Sequence, residues 1–365
     1  MLTDLQTQIV SIHDQSPKRQ VRRNANLVDQ FGREKRKLRI SVTDRCNFKC
    51  QYCMPEHPEW LAKKDILSFE ALYTFCELMV EQGIESIRIT GGEPLMRQGV
   101  VHFINDLSRL RAKGLKRISM TTNAHYLAKY AQDLKLAGLD DLNISLDSLD
   151  AKQFQQLTKK SLQPVLQGFA AAQAVGLKVK INTVLMRGIN DDQIIPLVKW
   201  GMAQKISVRF IEYMPLDGDA LWQKDWVVSE QDILSILEKE FKITAIAQDH
   251  EPAKQFAIQN LNDAIKENFS KPTYKIGSIS TISNPFCQQC DRLRLTATGE
   301  LFTCLFSDQG LSFKDKLEQY QKNKYDKLRA EIIETIKTVV WYKDAGYVSK
   351  QRAPLRKISM HAIGG

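Results

Sequence analysis

Long hydrophobic runs are missing from this chain. None approaches the roughly 20 apolar residues that cross a bilayer as a helix, so no membrane helix and no membrane partner are expected. The first residues lack a basic start followed by an apolar core, the pattern of a secretory signal, and the cytoplasm is the expected compartment. There is no low-complexity tract, and no internal repeat beyond a strand–helix alternation, which excludes a linker-like or solenoid protein. Acidic residues are the minority: 42 Asp and Glu face 52 Lys and Arg, for a formal charge of +10. A solvated basic surface accounts for this, and so does an anionic ligand such as a nucleotide, RNA or a membrane surface; charge alone does not choose.

What remains is ordinary globular composition, with 43% hydrophobic and 26% charged residues in 365. That length affords a sizeable core in one large domain or two. From Lys37 to about Glu212 two kinds of segment alternate. The strand-like runs are Leu38–Thr43, Ser86–Thr90, Arg117–Thr122, Leu142–Leu146, Lys178–Val184 and Ser207–Glu212. Helical patterns fall between them, at Phe69–Glu81, Val100–Ala112, Leu127–Ala137, Pro164–Ala174 and Asp191–Trp200. Gly83, Gly114, Gly138 and Gly176 follow four of these, where a left-handed cap favours glycine. Such an alternation predicts an α/β fold, an incomplete (β/α)6 TIM-like barrel whose ligands gather at the carboxyl ends of its strands. Residues 1–30 are polar and basic and are expected to be a flexible arm; 31–228 form the partial barrel. Residues 229–365 form a C-terminal extension, with a helix over Ser229–Lys239 capped by Ser229 and Asp232, a polar stretch to about Lys271, and a charged helix over Phe313–Trp341.

Cysteine carries the sharpest signal. In a reducing compartment seven cysteines point to ligands or catalysts rather than disulfides. Six fall into two triples: Cys46, Cys50 and Cys53 after the first strand, and Cys287, Cys290 and Cys304 in the extension. Cys76 lies in an apolar helical pattern and is expected to be a buried small hydrophobe. A structural zinc site needs four ligands, and His57, in a different segment, is the only histidine near the first triple. A four-iron cluster held by three thiolates instead leaves one iron open to a small molecule. For the second triple a zinc ribbon stays open on spacing alone.

Residues 44–53, Asp-Arg-Cys-Asn-Phe-Lys-Cys-Gln-Tyr-Cys, resemble the cluster motif of the radical S-adenosylmethionine superfamily, and Thr90-Gly91-Gly92-Glu93-Pro94 resembles its glycine-rich segment. Phe31-Gly32-Arg33, Leu38–Ser41, Thr121–Asn123, Asn143–Asp150, Arg209–Met214, Asn284–Cys287, Cys290–Arg294 and the terminal Gly364-Gly365 narrow the likeness to the GTP 3′,8-cyclase family of molybdenum-cofactor biosynthesis. The resemblance implies two [4Fe-4S] clusters, held by Cys46, Cys50 and Cys53 and by Cys287, Cys290 and Cys304. It implies S-adenosylmethionine contacts at Tyr52, Gly92, Glu93, Ser145 and Met214, and GTP contacts at Arg39, Arg88, Thr121, Lys180, Arg292 and Arg294. Arg292, Arg294, Gly364 and Gly365 would act in catalysis, the glycine tail by threading into the active site. An outside reductant, a homodimer, and cyclic pyranopterin monophosphate synthase as receiver of the product are also implied. Two departures stand out: Ala124 where the family has Gly, and Ser86 where it often has Lys. Peptide-modifying radical enzymes with auxiliary clusters are the nearest alternative, though they usually carry more cysteines; a zinc-stabilised RNA-binding protein leaves the βα units unexplained.

Overall fold

The β-branched runs pair into one sheet. The computed structural model describes residues 26–216, 219, 221–247, 253–261, 274–347 and 360–363. Six strands lie side by side in chain order and all parallel: β1 (Lys37–Ser41), β2 (Ser86–Thr90), β3 (Arg117–Thr122), β4 (Asp141–Ser145), β5 (Lys178–Leu185) and β6 (Ser207–Glu212). Between them run α1 (Phe69–Glu81), α2 (Val100–Ser108), α3 (Leu127–Leu136), α4 (Ala151–Thr158), α5 (Gln163–Ala174) and α6 (Ile194–Gln204). The crossovers are those a parallel sheet requires. Ser68 caps α1 through the Ala71 N–H, and Gly83, Gly114, Gly138 and Gly176 all take positive φ after the helical segments they close.

The extension builds outward from both edges of this sheet. After α7 (Glu230–Leu237), β7 (Phe241–Ala245), β8 (Lys254–Asn260) and β9 (Tyr274–Ile279) attach to β6. At the other edge β10 (Arg292–Leu295) joins β1 in parallel, followed by the antiparallel β11 (Glu300–Phe302) and β12 (Leu311–Ser312). The result is a twelve-stranded sheet that does not close, its outermost strands being β12 and β7. α8 (Lys314–Asn323) packs on α1, α9 (Asp326–Trp341) on α8, and the short α10 (Met360–Ile363) lies against β1.

Three local features depart from the sequence-based expectation. The polar stretch after Lys239 contains the hairpin of β7 and β8, whose buried Phe241, Phe256 and Ile258 are too few to raise a period-2 signal. α4 was not anticipated; its start is fixed by Asp150, which accepts from the Gln153 N–H at 2.7 Å. The long charged helix is two helices, broken where Lys324 turns left-handed at φ 46°. Cys76 is fully buried in α1, as a core residue.

Strand alternation sets up the site. On β1, Leu38 and Ile40 are buried among the core side chains, while the intervening Arg39 lines an interior cavity; on β2, Ile87 and Ile89 alternate with Arg88 and Thr90 in the same way. Core helices take the apolar face, and the opposite face is left to polar groups.

Candidate functional site

Both cysteine triples open into one cavity of about 310 Å³. Cys46, Cys50 and Cys53 reach it from the loop after β1; Cys287 and Cys290 reach it from the segment before β10, and Cys304 from the loop after β11. Because β10 lies beside β1, two groups 234 residues or more apart in sequence face each other across the cavity. All six are free thiols.

The first triple is held by its neighbours. Phe48 is buried and packs edge-on against Phe154 and His125. The Asn123 amide donates to Asn47 at 2.8 Å and lies 3.8 Å from the Cys46 sulfur. Gly91 and Gly92 lie against this loop so closely that a Cβ on Gly92 would stand 2.3 Å from the Arg45 carbonyl oxygen. Their glycine identity is therefore demanded by the cysteine loop itself. Glu93 turns away from the cavity: its carboxylate accepts from the Leu95 and Asn123 backbone N–H groups and the Thr122 hydroxyl, at 2.7–3.0 Å. Burial nonetheless pushes its pKa up to about 7. Glu93 thus ties the end of β3 to the glycine segment rather than presenting an acceptor to a ligand.

Tyr52 lines the cavity and donates its hydroxyl to Asp147 at 2.7 Å, and Asp147 in turn accepts from the Val184 N–H. Ser145 and Met214 line the same side. The tail helix α10 closes over it: Met360 lines the cavity, and the His361 backbone hydrogen-bonds the Cys53 thiol. Gly364 and Gly365 lie outside the described residues.

Across from this side stands a row of cations. In the β10–β1–β2 register Arg294 pairs with Arg39, and Arg39 with Arg88. Arg292 is on the same face of β10, and its guanidinium lies 4.8 Å from the Phe286 ring centre. All four line the cavity, as does Thr121. Arg39 is worst placed: burial, then the like charges of Arg294, Arg88 and Arg292, pull its pKa down. Neighbouring strands are only about 4.8 Å apart, and like charges so placed repel unless an anion lies among them. Lys180 shares a strand face with Asn182 and Val184, which line the cavity, but is not itself among the lining residues.

Sequence reasoning missed Asn143, Asp147, Asn182 and Glu212. The first two sit inside the Asn143–Asp150 motif that was singled out, so the motif marked the place without the role. Glu212 accepts from the Ile282 and Ser283 N–H groups, fixing the loop that leads to Cys287; it lies in the Arg209–Met214 motif, which marked the place without the role. The side-chain oxygens of Asn143 and Asn182 are buried without a partner and face the cavity, as sites for ligand donors would.

The donor set fits iron–sulfur clusters. Each triple supplies three soft thiolates, and no histidine lines the cavity among the described residues. Nor do any three His, Cys, Asp or Glu side chains among them converge as ligands to a single metal ion do. A tetrahedral zinc, which needs four ligands, is poorly served at either place; clusters that keep an open iron suit both.

Comparison with known proteins agrees. A model of the Radical SAM superfamily matches residues 40–201, and a model named Molybdenum Cofactor Synthesis C matches residues 206–348. The GTP 3′,8-cyclase of Thermodesulfovibrio yellowstonii is 39% identical over 343 residues, 92% of this chain and 99% of that protein. Those of Streptomyces coelicolor and Rhodopirellula baltica are each 38% identical, covering 88% and 93% of this chain and 90% and 92% of theirs. Among solved structures, Streptococcus suis SuiB bound to precursor peptide SuiA superposes with a TM-score of 0.58 at 16% identity, over 89% of this chain and 75% of that one. The S-adenosylmethionine-bound form of SuiB gives 0.54 at 17%, over 82% and 68%. At such identities the likeness is one of fold.

Proposed function

The chain belongs to the GTP 3′,8-cyclase family of the radical S-adenosylmethionine superfamily, and we infer that its cavity holds a nucleoside triphosphate against a radical source. The reaction is cyclisation of GTP to 3′,8-cyclo-7,8-dihydro-GTP in molybdenum-cofactor biosynthesis. One observation carries the assignment of substrate to place: the in-register arginine row beside two three-cysteine sets in one cavity.

When bound, an iron–sulfur cluster and S-adenosylmethionine supply the electron and the carbon radical that start the reaction. Cys46, Cys50 and Cys53 would hold that cluster, with Tyr52, Gly92, Ser145 and Met214 around the sulfonium ligand. Asp147 keeps the Tyr52 ring in place through its hydroxyl. Arg39, Arg88, Arg292 and Arg294 would take the triphosphate, for which several fixed cations are the natural partner, with Thr121 beside them. Lys180 would serve from deeper on its strand. Cys287, Cys290 and Cys304 would hold a second cluster over the base. Met360 of α10 lines the cavity only a few residues before the Gly364-Gly365 tail, and the family likeness gives that tail a catalytic role. Functionally the chain divides into an arm (1–30), a barrel (31–228) and an extension (229–365). The same reading calls for a homodimer in the cytoplasm, an external reductant, and cyclic pyranopterin monophosphate synthase as the next enzyme.

Anaerobic reconstitution with iron and sulfide, then incubation with GTP, S-adenosylmethionine and a reductant, tests this directly. A cyclised nucleotide should form, and a peptide in place of GTP should be left unchanged. Replacing Cys46, Cys50 or Cys53 by Ala should abolish 5′-deoxyadenosine release. Replacing Cys287, Cys290 or Cys304 should abolish cyclisation while sparing uncoupled deoxyadenosine. Equal loss of both from either triple would refute separate roles.

A further inference from the structure

The two triples sit in opposite electrostatic surroundings. Behind the second one, on the side away from the cavity, three cations reach the backbone of the cysteine segments. Arg33 donates to the Cys287 carbonyl at 2.7 Å, Lys35 donates to the Cys290 carbonyl at 2.8 Å, and Lys343 donates to the carbonyl of Thr303, the residue before Cys304. None of the three lines the cavity. Their side chains are almost wholly shielded, at 8% exposure for Arg33 and 0% for Lys35, and Lys343 as a residue is 2% exposed. The buried carboxylate of Asp29 faces two of them, accepting from Arg33 and Lys35 at 2.7 Å each. On the cavity side Arg292 adds a further positive charge.

Charges near the first triple have the other sign. Asp44 and Asp147 are both buried close to it.

We propose that Arg33, Lys35 and Lys343 form a cationic cradle that sets the reduction potential of the second centre above that of the first. The physical reason is charge. A cluster bound by three thiolates carries net negative charge that grows by one on reduction, and buried cations favour the more negative state. Carboxylates beside the first triple do the reverse and keep that centre the stronger reductant, as cleavage of a sulfonium demands. The three act through the cysteine segments and not on substrate, so they are tuning residues. The inference rests on the two-centre function proposed above.

Redox titration of the reconstituted full-length chain, followed by electron paramagnetic resonance, tests it. Chains with either triple replaced by alanine isolate each centre. The second centre should titrate at the higher potential. Lys343→Gln, which keeps a donor but removes the charge, should lower the second centre's reduced-to-oxidised ratio at fixed poise at least tenfold, a shift of about 59 mV for one electron, and leave the first unmoved. Lys343→Arg should restore the original potential. Arg33→Gln and Arg33→Lys repeat the test at a second position should Lys343→Gln fail to assemble. A chain that binds only one cluster would refute the two-centre function. Two clusters with unmoved potentials, or with equal shifts in the Gln and charge-keeping variants, would refute the cradle alone.

Discussion

Glu93 shows how one side chain carries strain for the site. Folded, it keeps its proton to about pH 7, against an ordinary value of 4.5. Between those values the folded state binds more protons than the unfolded one, so its contribution makes stability rise as pH falls and fall as pH rises. The cost above neutrality is on the order of 3 kcal/mol. Urea unfolding of the reduced apoprotein from roughly pH 5 to roughly pH 8 should show this slope. Glu93→Gln should flatten it and lower stability at acid pH, because an amide cannot accept on both sides. Ala124 is a second strained residue. It sits at φ 61°, with its carbonyl packed against Gly168. The left-handed region costs an alanine about 1–2 kcal/mol, more than the backbone entropy a glycine adds to the unfolded chain. Ala124→Gly should therefore stabilise the fold by about 0.5–1 kcal/mol in the same measurement.

At the scale of elements, the β10–β1–β2 register is the feature that the site's chemistry depends on. Three parallel strands bring Arg294, Arg39 and Arg88 abreast. Without an anion, such opposed like charges cost stability. Arg39→Met should leave the apoprotein as stable as the parent or more so, while eliminating the rise in Tm that GTP gives. For a ligand at a hundred times its Kd that rise corresponds to about 2.7 kcal/mol. Calorimetry with GTP and with guanosine separates the phosphate contribution from that of the base. If Arg39→Met destabilises the apoprotein strongly, the row is a packing device and not a phosphate cradle. Strand positions were legible because parallel strands buried under helices read as β-branched runs; β7 and β8, half exposed, gave no such run.

For the molecule as a whole, the second triple is where distant parts of the chain meet. Arg33 joins it to the carbonyls of Asp344 and Ala345, and a Cβ on Gly346 would lie 2.4 Å from the Cys287 Cβ. Gly346→Ala should displace Cys287. Reconstituted iron should then drop from about eight to about four atoms per chain, with the first cluster retained. Deoxyadenosine release without cyclisation would accompany it. Local sequence determined much of this protein. The cysteine spacings, the glycine-rich segment after β2 and the period of its strands follow from short-range chemistry: a ligand set is written in neighbouring residues, and strand alternation needs only a few. The tertiary structure alone decided the rest. It set β10 beside β1, so that two triples share a cavity and three arginines align. It turned Glu93 inward and left Lys180 off the cavity wall, and it placed Arg33, Lys35 and Lys343 behind one triple. Those outcomes depend on which strands pair and which side chains are denied water, and both are properties of contacts between residues far apart in the chain.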